Sequence, residues 1–225
     1  MNARDRILAK LRPFSPSTAT TAPDVAAWFA AHRPVESPAE KARRFRHFIE
    51  LAHAEVHAVT ADNWLKTLSA VLRARGIEQL LVAEGTPHGE QALDGLPPQG
   101  IECATYDMAI EAWKTEMFTA TPASLTAARA AIAETGTLIL WPDALEPRLM
   151  SLVPPLHIVL LDATKLYNTF YEAMTAEGWK DGLPTNSLLI SGPSKTADIQ
   201  QTLAYGAHGP KELVVLMLNV PEGAQ

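Results

Sequence analysis

The chain has 225 residues, 47% apolar and 20% charged, the balance of a soluble globular protein long enough to bury a substantial core. Its formal net charge of −6 argues against nucleic-acid binding, which needs basic patches to neutralise phosphates, and leaves a small molecule or a protein as company. One cysteine, Cys103, excludes an internal disulfide and cannot by itself hold an iron–sulfur cluster or a structural zinc.

The charged N-terminus lacks the apolar core of a secretory signal, and apolar runs such as Leu156 to Leu161 fall far short of a bilayer span. A cytoplasmic location is expected. Residues 2–12 suit a short helix with Ile7, Leu8 and Leu11 on one face. Pro13, Pro16, Pro23 and Pro34 then interrupt regular structure. Residues 1–36 therefore read as an N-terminal helical arm and Pro-rich linker. Trp28 and Phe29 are its large anchors, set either to dock on the chain's own body or to reach a partner.

Residues 37–225 read as a single α/β domain. Ser37, Pro38 and Glu40 form the serine–glutamate pattern of a capping box, opening a helix to about His53. Glu55 to Val59 reads as a strand. Thr60 or Asp62 caps a helix through Trp64, Leu68 and Leu72 that stops at Gly76. Gln79 to Ala83 is a second strand, and a Gly- and Pro-rich loop follows from Glu84 to Gly100. The run around Cys103 reads as strand, with the thiol buried and inert. His47, His53 and His57 do not form a ligand array, so no metal site is expected.

Residues 107–119 are ambiguous. Ser124 to Ala128 suits a strand, Arg129 to Ala133 a helical turn, and the second half of 132–141 a strand. A short helix around Leu145 to Met150 precedes a strand at Leu156 to Leu161. Ala163 to Glu177 reads as one helix, with Leu166, Phe170 and Met174 at helical spacing. A strand at Ser187 to Ile190, a helix at about Thr196 to Tyr205 and a strand at Leu213 to Leu218 complete the chain. Alternating strands and helices, with strands apolar on both faces, predict a mostly parallel sheet covered by helices.

Two stretches carry candidate chemistry. In Ala133-Glu-Thr-Gly-Thr137, backbone N–H groups and the hydroxyls of Thr135 and Thr137 around Gly136 could hold an oxyanion, with Glu134 as acid or base. The plainer alternative is a polar turn leading into a buried strand. In Ser191 to Pro210, Gly192 and Pro193 shape a strand exit, and Ser194 or Thr196 caps the helix. Lys195 offsets Asp198 in the first turn, where the carboxylate would otherwise repel a bound anion. Gly206 suits a helix C-cap, and His208 stands between it and Gly209.

A helix of about ten residues is about 15 Å long. On that reading Ser194 and His208 share a site only across an interface, with another subunit of a homo-oligomer or with a partner. Glu134 precedes its strand whereas Ser194 follows one, so the two motifs meet only if one strand runs antiparallel. Ligands in parallel sheets bind at the carboxyl ends of strands, which favours the turn from Gly192 to Asp198. Neither a P-loop, a dinucleotide fingerprint nor a Gly-x-Ser-x-Gly elbow is present.

Ile132-Ala-Glu-Thr-Gly-Thr-Leu138, followed by Gly192-Pro-Ser-Lys-Thr-Ala-Asp-Ile199 and Gly206-Ala-His-Gly-Pro-Lys-Glu-Leu213, resembles the LUD-domain family, in particular its lactate-utilization protein C members. The resemblance covers roughly the last two-thirds of the chain. It implies a fold of the NagB/RpiA/CoA-transferase-like group and a role in a system that oxidises L-lactate to pyruvate. Iron–sulfur partner proteins carry the clusters in such systems. It names no cofactor for this chain. It leaves two functions open, an accessory or regulatory subunit and an independent enzyme of the CoA-transferase or sugar-phosphate-isomerase kind. On either reading Glu134, Asp198 and His208 are the candidate catalytic residues. The ligand-binding candidates are Thr135, Gly136, Thr137, Gly192, Pro193, Ser194, Lys195, Thr196 and Gly209.

Overall fold

The computed structural model describes residues 2–14, 21–32, 35–106, 115, 117–197, 203–206 and 208–224, with the backbone alone for Phe14, Thr196, Ala197 and Leu203–Tyr205. The chain divides into two units, Met1–Pro34 and Val35–Gln225. The first holds helices α1 (Ala3–Leu11) and α2 (Val25–His32). Asn2 caps α1 by accepting the Asp5 N–H at 2.9 Å.

The second unit opens with α3 (Pro38–Leu51). Ser37 Oγ accepts the Glu40 N–H, Glu40 Oε2 accepts the Ser37 N–H, and Pro38 occupies the first turn. The predicted capping box is therefore complete. Ala42, Phe45 and Ile49, at helical spacing, are fully buried. Next come β1 (Glu55–Ala58), α4 (Trp64–Ala74), β2 (Gln79–Val82), α5 (Pro87–Gly95) and β3 (Glu102–Thr105). After the residues around 107–116, most of them outside the described set, the chain forms β4 (Ala123–Ala127), β5 (Ala130–Ile132) and β6 (Thr137–Leu140). It continues through α6 (Leu149–Leu152), β7 (Leu156–Asp162), β8 (Leu166–Tyr167), α7 (Phe170–Ala176) and β9 (Leu188–Ile190). Strands β10 (Lys195–Ala197), β11 (Leu203–Tyr205) and β12 (Glu212–Leu218) complete it.

Six strands form a parallel sheet in the order β1-β12-β7-β4-β2-β3. Five consecutive residues of β12, Leu213 to Met217, are buried, because both sheet faces are covered. One face packs with α4 and α5 through Leu68, Leu72 and Ala92. The other meets α3 and a second, four-stranded sheet ordered β8-β5-β6-β9. The parallel sheet and its helices match the sequence expectation. The second sheet as part of the covering does not follow from it.

Four local assignments change. The loop from Glu84 to Gly100 contains α5, started by Thr86, whose Oγ1 accepts the Gly89 N–H. Arg129 to Ala133 holds strand β5 rather than a helical turn, because Ala130–Ile132 pairs with β6 on one side and β8 on the other. Tertiary pairing overrides the helix preference of its alanines. The helix expected over Ala163 to Glu177 is cut in two. Asp162 Oδ1 accepts from Thr164 and starts a short turn, Leu166 enters the core as strand, and Thr169 caps α7. The helix expected over Thr196 to Tyr205 is replaced by an antiparallel pair, Lys195 opposite Tyr205 and Ala197 opposite Leu203. Smaller shifts accompany these. Asn63 rather than Thr60 or Asp62 precedes α4, and α6 starts later than expected because Asp143 Oδ1 accepts the Leu145 and Glu146 N–H groups.

Candidate functional site

Strands β6 and β9 run antiparallel, with Leu138 opposite Ile190, so the entry to one motif lies beside the exit of the other. The condition set by the sequence is met. Thr135 Oγ1 lies 2.7 Å from Thr137 Oγ1, which lies 2.7 Å from Ser191 Oγ, a continuous chain of hydroxyls. One glycine of each motif, Gly136 and Gly192, faces the C-terminal end of α3. A Cβ on Gly136 (φ +59°) would stand 2.4 Å from the Ile49 nitrogen. One on Gly192 (φ +140°) would stand 2.8 Å from the Ala52 carbonyl oxygen. Both positions need glycine because backbone meets backbone there.

The loop from Ser191 to Ser194, the segment His208 to Pro210, the end of α6 and the second residues of β7 and β12 line a half-open cavity of about 190 Å³. Ser194 and His208 both line it. The separation expected from a helix does not exist, because the strand pair folds the chain back. The Ser194 N–H donates to Pro210 O at 2.8 Å, and the Gly206 N–H donates to Ser194 O at 3.0 Å. Gly206 (φ +77°) ends the strand pair rather than capping a helix, and neither Ser194 nor Thr196 serves as an N-cap.

Gly192, Pro193 and Gly209 also line the cavity. Lys195 is exposed and outside the lining, the Thr196 side chain is not among those described, and Asp198 lies outside the described residues. Glu134 is exposed and does not line the cavity; its N–H donates to Asn168 O at 3.1 Å. The carboxyl-end rule does not apply to this turn. Strand β9 belongs to the second sheet, and the cavity sits at the amino ends of β7 and β12.

The residue that sequence reasoning missed is His157. It interrupts the apolar run Leu156 to Leu161 on a strand covered on both faces, and that lone polar residue was the available signal. Its side chain is fully buried and lines the cavity. Nε2 lies 2.9 Å from Thr126 Oγ1, whereas Nδ1 has no partner among the described residues. Burial pushes its pKa down to about 3, so the ring is neutral at physiological pH. Beside it, Ser124 Oγ donates to Met150 O at 2.5 Å and Ser151 is buried on the cavity wall.

A second polar cluster lies where the strand order reverses, between the carboxyl ends of β2 and β4. His88 Nε2 is 2.6 Å from Glu146 Oε1, which also accepts the Ala127 N–H at 3.0 Å. Glu146 thus ties its loop both to α5 and to the end of β4. Arg129 pairs with the nearly buried Glu177 at 2.6 Å, and Tyr167 donates to the same carboxylate. Cys103 is half-buried with its thiol directed to Ala92 O, and burial raises its pKa, which keeps it protonated and unreactive. Among the described residues no group of three His, Cys, Asp or Glu side chains could hold a metal ion. Among them, too, no helix is long and apolar enough to cross a membrane.

Residues 42–218 match the sequence model of the LUD domain. An uncharacterised protein of Neisseria meningitidis serogroup B is 40% identical over 97% of this chain and 94% of its own length. A lactate utilization protein C of Macrococcus caseolyticus is 25% identical over 74% of this chain and 73% of its own. The crystal structure of a DUF162 family protein from Deinococcus radiodurans superposes with a TM-score of 0.61 at 24% identity, covering 83% of this chain and all of that one. That last likeness concerns the fold alone.

Proposed function

The chain belongs to the LUD domain family, and we propose that it serves lactate utilisation as an accessory, ligand-binding component working beside iron–sulfur partner proteins. The observation that carries this reading is the span of the family match, residues 42–218, which takes in every wall of the cavity. Relatives called lactate utilization protein C, such as that of Bacillus mycoides at 26% identity over 76% of this chain, supply the pathway. The single cysteine supports a division of labour in which other chains hold the clusters. The cavity supports a binding role in preference to a CoA-transferase or sugar-phosphate isomerase. Glu134, one of the two carboxylates those chemistries would use, stands outside it, and the other, Asp198, lies outside the described residues.

The test is genetic and biochemical. Deleting the gene should abolish or slow growth on L-lactate as sole carbon source, with recovery when the gene is restored. Affinity purification should bring down proteins showing the visible absorbance of iron–sulfur clusters. Normal growth of the deletion strain, with no paralogue to compensate, would overturn the reading.

A further inference from the structure

The parallel sheet leaves one of its end strands open. Strand β1 is hydrogen-bonded to β12 alone, along Glu55–Ala58. The Val59 N–H donates to Met217 O at 2.9 Å, so the odd-numbered residues here bond toward β12. By strand alternation the N–H and C=O groups of Val56 and Ala58 point the other way, where no strand lies. Unpaired backbone groups along a sheet edge invite a further strand.

The face beside this edge is also uncovered. Helix α4 packs on β12 through Leu68 and Leu72, and an open groove of about 550 Å³ separates it from β1. Glu55 and His57 line the groove from the strand, Lys66 and Arg75 from the helix. Its two ends differ in charge. At one end Arg75 holds Glu55 at 2.6 Å and Glu212 at 2.8 Å, two carboxylates to one guanidinium. At the other, Lys66 in the first turn of α4 is exposed and makes no ion pair among the described residues. A second copy turned end for end meets opposite charge at both ends, and the two acids and two bases of each copy balance.

We propose that β1 and the groove beside it form a two-fold interface with a second copy of this chain. The two β1 strands pair antiparallel and join their six-stranded sheets into one of twelve strands. With the axis at Val56, its N–H and C=O exchange hydrogen bonds with those of the second copy's Val56. Glu55 then stands opposite the second copy's His57, on the face that carries the groove. Lys66 of each copy lies toward the Glu55 and Glu212 end of the other.

The test is the mass of the full-length protein in solution, by sedimentation velocity from about 1 to about 100 μM. The expected result is a reversible dimer, twice 24.4 kDa, that weakens as added salt screens the charged ends. Ala58→Pro removes an outward N–H and blocks the edge while sparing the bonds to β12, so it should give monomer. Lys66→Glu should weaken the dimer about tenfold, and adding Glu212→Lys to it should recover most of that loss. Thermal unfolding identifies the variants that remain folded. If Ala58→Pro does not, the Lys66→Glu variant and its Glu212→Lys rescue decide. A monomer at every concentration, or a dimer unchanged in a folded Ala58→Pro or in Lys66→Glu, would overturn the proposal.

Discussion

Burial alone sets the charge of His157, and that has a consequence for stability. The unfolded chain takes up a proton on this ring near pH 6.5, whereas the folded chain holds it neutral down to about 3. Above pH 6.5 the residue leaves stability independent of pH. Below it the unfolded state binds the extra proton, so stability falls with falling pH throughout the window from 6.5 to 3. One proton corresponds to about 1.4 kcal/mol per pH unit in the middle of that window. Urea unfolding of His157→Phe at several values between pH 6 and 4 should therefore give a stability curve shallower by about one proton than the unaltered protein. Parallel curves would show that His157 is charged in the folded state. At the same scale, the other candidate residues separate cleanly. His208 and Ser194 reach the cavity and Glu134 does not.

Elements, more than side chains, explain the motif glycines. Gly136 and Gly192 let two turns of the second sheet rest directly on α3, which the capping box at Ser37 and Glu40 holds in place. Gly136→Ala places a Cβ 2.4 Å from the Ile49 nitrogen at a φ of +59°, so strain and clash add. The expected loss is about 2–4 kcal/mol, read from urea unfolding. Gly100→Ala is the comparison: its φ is +77° but a Cβ meets nothing within 4 Å, and only the backbone term of about 1 kcal/mol should appear. Equal losses would mean that the contact with α3 is soft. The pair β10–β11 makes the same point in another way. Its residues carry no clear strand alternation, and their pairing is what brings Ser194 and His208 to one cavity.

For the whole molecule, the make-up of the second unit's core predicts the effect of truncation at Pro34. Neither α1 nor α2 has a buried residue, and among the described residues the two main core clusters draw only on those from Ala39 onward. A chain of residues 35–225 should unfold in one cooperative transition with a Tm within about 4 °C of the full chain, the shift expected from ~1 kcal/mol. Calorimetry checks this. A much larger drop would show that the arm contributes to the core.

The family, the parallel sheet and the helices with strong end signals were legible from residues alone. Apolar runs need two covered faces, and Ser37, Pro38 and Glu40 are local chemistry that acts within one turn. The site was only partly legible. Its two motifs were visible, but whether they met depended on the direction of β9 against β6, a contact across some fifty residues. The outcome at 195–197 and 203–205 likewise turned on a strand pairing, and His157, a polar residue within a buried strand, was not singled out from the sequence. That its ring is fully buried, with Nδ1 unpartnered among the described residues, becomes visible only once β4 and β7 are packed side by side. Short-range order follows from neighbours in sequence; the cavity follows from neighbours in space, which tertiary packing alone selects.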